Sequence, residues 1–263
     1  MAVLFGGKPM NENSRSLNYA AKRIQAIQSM ERRIQQIIFP KAKQIIAAAR
    51  KYRSGDRLTN ESALLREARS ITAAAQKDIE AYTAAYAKAS CSILDIENEN
   101  IEAFLTGDIY GKTTSERNSV YLANFAEDIV RMIKAGTVMG YSESQILSSV
   151  RTGYKDPYHA SVVTKAQRKD INIATPSYGK GYYRNAYENI VRNTTQVISL
   201  AWGLAEQEYG KENGAVGFRC YRGSSYPCAV CDDECSYLHK LTDPFPPFHV
   251  NCVCYTKFEF DEE

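Results

Sequence analysis

The chain has 263 residues, enough for one large or two modest domains with a real core. Its formal net charge of +3 is too small to indicate a partner, and no apolar run approaches the roughly 20 residues a bilayer span needs, so a soluble, non-membrane protein is expected. No N-terminal stretch combines a basic start, a long apolar core and a small-residue cleavage site, and no Walker-type phosphate loop is present. An oxidising destination and a nucleotide-driven motor are therefore both disfavoured.

From Ser14 to Tyr52, apolar residues recur at Ile24, Ile27, Met30, Ile34, Ile37, Ile38, Ile45 and Ile46, mostly three or four apart, which predicts a long helix. Pro40 is expected to kink it or to start a second one. This end is a basic arm: residues 1–60 hold 12 Lys or Arg against 3 acidic residues, whereas residues 61–111 hold 4 against 9. Arg32, Arg33, Lys41, Lys43, Arg50 and Lys51 are the candidate nucleic-acid contacts, through phosphates. The plainer reading, a solvated helix face, is favoured because no aromatic side chains interleave with these charges to stack on bases.

A turn at Ser54-Gly55-Asp56 leads to a second long helix near residues 60–106, with its stripe running through Leu64, Leu65, Ala68, Ile71, Ala75, Ile79, Tyr82, Tyr86, Ile93 and Ile96 and Gly107 as terminator. Two one-faced helices joined by a short turn should form an antiparallel hairpin, and heptads are not sustained enough for a coiled coil. Thr113-Thr114-Ser115-Glu116 reads as a capping box opening a third helix, through Leu122, Phe125, Ile129, Met132 and Ile133 to a stop at Gly136. Ser142 with Gln145 repeats the pattern before a shorter helix ending near Val150. Residues 152–182 read as a connector, with a helical turn near Val162 to Lys169 and a lone His159 expected to be an ordinary surface residue. A further helix spans about Gly181 to Tyr209. Strands are expected at Val216 to Tyr221 and at Val253 to Phe260.

The most specific chemistry lies at the end. Six of the seven cysteines fall between positions 220 and 254, in Pro227-Cys228-Ala229-Val230-Cys231 and in Pro246-Pro247-Phe248-His249-Val250-Asn251-Cys252-Val253-Cys254. Two thiols two residues apart, with an imidazole and a thiol on a second segment, suit a tetrahedral ion. Thiolate and imidazole point to zinc rather than calcium or magnesium. The favoured ligands are Cys228, Cys231, His249 and Cys252, with Cys254 as the first substitute. Cys228, Cys231, Cys235 and His239 form a compact alternative. Four protein ligands close the site, so the zinc is expected to be structural, with no catalytic residues and no enzymatic role. Disulfides are the competing reading. Cys91 is expected to be a small buried residue. The fold class expected is mainly α: a long helical hairpin and helical bundle (1–151, with the basic arm), the connector (152–182), and a helix plus a small C-terminal α+β zinc-binding module (183–263).

The Arg-Asn-Thr-Thr stretch at Arg192 to Thr195, the following strand, the Cys-x-x-Cys and the Pro-Pro-Phe-His-x-Asn-Cys-x-Cys together resemble the phage Mu F-like head morphogenesis family of minor capsid proteins over roughly residues 184–256. The nine-residue motif is specific, whereas a Cys-x-x-Cys alone is not. The resemblance implies a structural minor head protein, present in the virion head and in the host cytoplasm during assembly, with portal, capsid or scaffold proteins as partners. A zinc-containing DNA-binding protein, with phage DNA as partner in packaging or delivery, is the alternative. Carried over position by position, the shared ligand-type residues are Cys228, Cys231, His249, Cys252 and Cys254. The chain departs from the family at Val253, where Arg is common, at Thr195, often acidic, and after Cys231, where Cys235 and His239 replace the usual glycine pattern. The identity of the fourth ligand stays open.

Overall fold

The computed structural model describes residues 4–5, 8–9, 11–109, 111–155 and 186–261. The fold is mainly helical with a small C-terminal α+β module. Helix α1 (Glu12–Ala48) buries one unbroken stripe at Tyr19, Arg23, Ala26, Met30, Ile34, Ile38, Ala42, Ile45 and Ala49, three or four residues apart. It continues through Pro40, which does not start a second helix. Pro40 is exposed, and the carbonyl its missing N–H leaves without a helical partner belongs to exposed Gln36.

After a 3-10 turn (Ala49–Tyr52), strands β3 (Arg53–Ser54) and β4 (Arg57–Leu58) form a hairpin across Gly55, whose φ of +60° suits glycine. A shorter N-terminal pair, β1 (Leu4–Phe5) with β2 (Lys8–Pro9), precedes α1. The single helix expected over 60–106 is three: α2 (Glu61–Ala73), α3 (Gln76–Leu94) and α4 (Glu99–Thr106). The second break follows Asp95, at φ +57°, a conformation Asp tolerates better than most residues. The first break, at Ala74-Ala75, has no glycine or proline to announce it. Asn60 caps α2 by accepting from the Ala63 N–H at 3.0 Å.

Strands β5 (Asp108–Ile109) and β6 (Lys112–Thr113) form another hairpin. Its Gly111-Lys112-Thr113 triplet lacks a glycine at the spacing a phosphate loop needs. Helix α5 (Thr114–Val138) then runs past Gly136 instead of stopping there. A Cβ at Gly136 would meet the Ile146 side chain at 2.6 Å, so this glycine makes room for α6 (Glu143–Lys155). Ser142 and Gln145 form the expected reciprocal cap, with the Gln145 side chain accepting from the Ser142 N–H at 2.8 Å and Ser142 Oγ accepting from the Gln145 N–H at 3.3 Å. Helix α6 extends beyond Val150 to Lys155. His159 and the turn near Val162 to Lys169 lie outside the described residues.

Helix α7 (Ala186–Glu212) precedes the C-terminal module: strand β7 (Gly217–Tyr221), short helix α8 (Ala229–Glu234), β8 (Leu238–His239) and β9 (Tyr255–Glu259), with β7 central in an antiparallel sheet of order β8-β7-β9. The chain forms two compact units, each assembled from separated segments. One comprises 1–31, 81–114 and 194–263, the other 32–80 and 115–193. In the first unit Trp202 is buried, lies tilted by 41° against Tyr19 with centroids 4.9 Å apart, and donates from Nε1 to the Tyr86 carbonyl at 2.9 Å. In the second, Ile34, Ile38, Leu64, Ile79, Phe125, Ile129, Ile133 and Ile190 are fully buried.

Candidate metal centre

The outer edge of β9 is covered by α1. Glu12 accepts from the Phe258 N–H at 2.9 Å, Ser16 donates to the Thr256 carbonyl, and Arg23 donates to the Cys254 carbonyl. Residues 12, 16 and 23 lie on one helical stripe, and positions 258, 256 and 254 alternate along an extended strand, so one helix face satisfies the backbone groups that β7 leaves free. Arg15, between Glu12 at 2.7 Å and buried Glu206 at 3.2 Å, anchors the same end. Burial raises the Glu206 carboxyl above its ordinary range. None of these partners was legible in sequence, because nothing marks Arg15, Arg23 or Glu206 as buried rather than surface charges on amphipathic helices.

The strand so fixed ends in the cysteine loop. Asn251 has φ +63°, a left-handed turn that Asn adopts readily, and Cys252 donates its N–H to the His249 carbonyl at 3.1 Å. That tight turn explains the His-x-Asn-Cys spacing: it folds the imidazole and thiol back toward one place. Gly223, beyond β7, passes so close to the Val253 carbonyl that a Cβ would overlap it. Opposite, Cys228 is the N-cap of α8. Cys231 lies within α8, Cys235 follows its last residue, and both Cys228 and Cys235 pack against the cluster that contains Cys231.

These segments bring two ligand triads together. Cys228, Cys231 and His249 offer Sγ, Sγ and a ring nitrogen all within 4.8 Å of one another, and so do the sulfurs of Cys231, Cys252 and Cys254. His249 Nε2 lies 3.3 Å from Cys228 Sγ and 2.9 Å from Cys231 Sγ, while its Nδ1 faces the Val250 carbonyl at 2.8 Å. A proton on Nδ1 then leaves Nε2 with its lone pair toward the sulfurs, as a metal-binding imidazole requires. Cys231 and Cys252 sulfurs are 3.8 Å apart, far beyond a disulfide bond, and all seven cysteines are free. About 3.8 Å is also the edge of a tetrahedron with metal–sulfur bonds of about 2.3 Å.

Electrostatics here are strained. The N–H groups of Cys231 and Val230 help to hold the Cys228 thiol below its usual range. A hydrogen bond from Cys254, and N–H groups of Cys254 and Phe248, draw Cys252 down to about 5. Burial pushes Cys231 up to about 12, and donation to Cys252 pushes Cys254 well up. So many buried sulfurs cannot all ionise beside one another unless a cation joins them, and the donor set therefore fits a thiophilic metal ion.

The expected residues are thus placed as follows. Cys228, Cys231, His249, Cys252 and Cys254 converge, but neither Cys252 nor Cys254 lies within 4.8 Å of all of Cys228, Cys231 and His249. His239 belongs elsewhere: it is buried, stacked on Phe218 at 4.7 Å, with Nε2 on the Glu234 carbonyl at 2.7 Å. Cys220 is buried in β7 and Cys91 in α3, and burial raises both thiols. Of the basic candidates, Arg32 and Lys43 are exposed and Arg33 and Lys41 half-buried, with Arg33 donating to Gln36 at 2.9 Å. Arg50 pairs with Glu143 and Lys51 with Glu67 at 2.8 Å.

No protein-family model, no curated protein and no solved structure matches this chain.

Proposed function

We propose that this is a non-enzymatic minor head protein of a tailed bacteriophage, acting in capsid assembly at the portal, and that its C-terminal module is stabilised by structural zinc. The observation that carries the reading is the convergence of thiols and imidazole from the Cys-x-x-Cys and the Pro-Pro-Phe-His-x-Asn-Cys-x-Cys, the segments that bear the family resemblance. Zinc is favoured among thiophilic ions because mixed sulfur and nitrogen donors at tetrahedral spacing suit it. Its contribution is folding energy: with strands of five, two and five residues, the module buries little apolar surface on its own.

A docking role is supported by where apolar surface remains. Six of the nine large hydrophobic side chains exposed among the described residues, Val216, Tyr226, Val230, Tyr237, Leu238 and Phe260, belong to this module. No described helix is long and apolar enough to cross a membrane. Native mass spectrometry of the reduced chain, with and without a strong chelator, tests the metal. Co-purification with a tailed-phage portal protein, lost on zinc removal, tests the assembly role. A metal-free chain with a protease-resistant C-terminus would overturn the first claim, and a portal interaction indifferent to zinc the second.

A further inference from the structure

We propose that the module holds not one but two metal ions, in a thiolate cluster where Cys231 and Cys252 are shared, Cys228 and His249 complete one coordination shell, and Cys235 and Cys254 complete the other. This rests on the structural-zinc reading and deepens it. The count comes first. Two four-coordinate ions need eight ligand positions, and six donors fill eight positions when two sulfurs each bridge both ions. The cysteine cluster supplies six, five thiols and one imidazole, once Cys220, buried in β7, and His239, stacked on Phe218, are set aside.

The side chains form two separate triads with Cys231 common to both, so the donors gather around two points, and each ion would draw in its fourth ligand from the same cluster, Cys252 for the first and Cys235 for the second. One ion at Cys228, Cys231 and His249 leaves Cys254 outside, and one at Cys231, Cys252 and Cys254 leaves Cys228 and His249 outside. The common edge, Cys231 to Cys252 at 3.8 Å, is where two tetrahedra would meet. Cys235 is the fourth ligand offered to the second ion: it ends α8, four residues after Cys231, and packs against the Cys231, Cys252 and Cys254 cluster. A single-ion site gives Cys235 no task. Binding would release five thiol protons to solvent, and five thiolates, a neutral imidazole and two divalent ions sum to a net charge of −1. Arg222, held by Asp232 and the Tyr226 carbonyl, stands beside Cys231 and Cys254 to meet it.

The test is metal counting on the reduced, full-length chain loaded with zinc, by native mass spectrometry, with cadmium NMR on the cadmium-loaded chain. The expected result is two ions per chain, falling to one in Cys235→Ser, with two unchanged in Cys91→Ala. In cadmium NMR, two resonances coupled through a shared sulfur are expected. One ion per chain in the parent would overturn the two-ion cluster while leaving the structural-metal reading intact, and none would overturn both. Two ions without coupling would overturn the bridging sulfurs. Two ions retained in Cys235→Ser would remove Cys235 from the cluster.

Discussion

The helical unit of residues 32–80 and 115–193 and the module at residues 217–259 solve the same problem by opposite means. In the helical unit, long amphipathic helices turn isoleucine, leucine and phenylalanine inward and leave charge pairs such as Arg69–Glu127 and Lys134–Glu61 outside. In the module, short strands enclose a cluster of thiols. The first follows from side-chain area alone. On the proposed reading the second relies on an ion to turn mutually unfavourable neighbours into ligands, so the helical unit should be indifferent to metal and the module should depend on it.

The largest expected effect breaks that comparison directly. Chelation, or Cys231→Ser at the sulfur common to both triads, should remove roughly 10 kcal/mol of metal-linked folding free energy. Amide exchange should accelerate through Gly217–Tyr221 and Tyr255–Glu259 while α5 stays protected. Slow exchange persisting at Phe218 and Cys220 after chelation would mean that apolar packing suffices in the module as well.

Next in size is a feature that makes the helical unit resemble the module, a carboxylate largely withdrawn from water. Asp128 accepts from the Ala186 N–H at 3.2 Å at the start of α7, and burial raises it to about 7 from an ordinary 3.8. The folded state therefore holds a proton that the unfolded state has released. Its stabilisation is complete below about pH 4 and is lost as pH rises to 7, by at most about 4 kcal/mol. Asp128→Asn should flatten the difference in unfolding free energy between pH 5 and pH 8 relative to the parent. Parallel pH profiles for both proteins would show that Asp128 is solvated.

The two regions also differed in legibility. Helix faces, the Ser142–Gln145 cap and the C-terminal strands could be read because hydrophobic period and capping chemistry are local. The break at Ala74-Ala75 and the passage of α5 through Gly136 could not, since no glycine or proline marks the first and the second depends on the approach of Ile146. At the candidate centre, residue types announced a thiophilic site. They did not announce its partition into two triads, because the side of the cluster on which Cys254 falls depends on Arg23 and Gly223 holding its backbone. Nor did sequence separate Cys235 from His239. One packs against the thiol cluster at the end of α8 and the other sits in an aromatic stack, and only the strand pairing of Phe218 with His239 decides it.

That tethering gives the next prediction. Arg23→Met keeps the apolar stem but leaves the Cys254 carbonyl without its donor, and should cost about 1–3 kcal/mol in chemical denaturation. A smaller loss, about 1–2 kcal/mol, is expected for Asn251→Val, whose branched side chain resists φ +63°, whereas Asn251→Gly should be nearly neutral. Equal effects of the two substitutions at 251 would show that its side chain, not its backbone, matters.

The smallest effect is expected at the basic arm, where the comparison also separates the two functional readings. Arg50 and Lys51 are exposed and already face Glu143 and Glu67. Exposed pairs add little to stability, so Arg50→Ala with Lys51→Ala should not move the thermal midpoint measurably. A DNA-binding role demands more of them: each cation that meets a phosphate contributes about 0.9 to the slope of log affinity against log salt. With carboxylates already engaging both side chains, the double variant should leave any salt slope unchanged, while Lys43→Ala, at an exposed position of α1, is a substitution able to lower it. A fall of about two in the slope for the Arg50/Lys51 variant would mean that DNA displaces Glu143 and Glu67. The basic arm would then be a phosphate-binding surface instead of the solvated side of a helix whose other face is already buried.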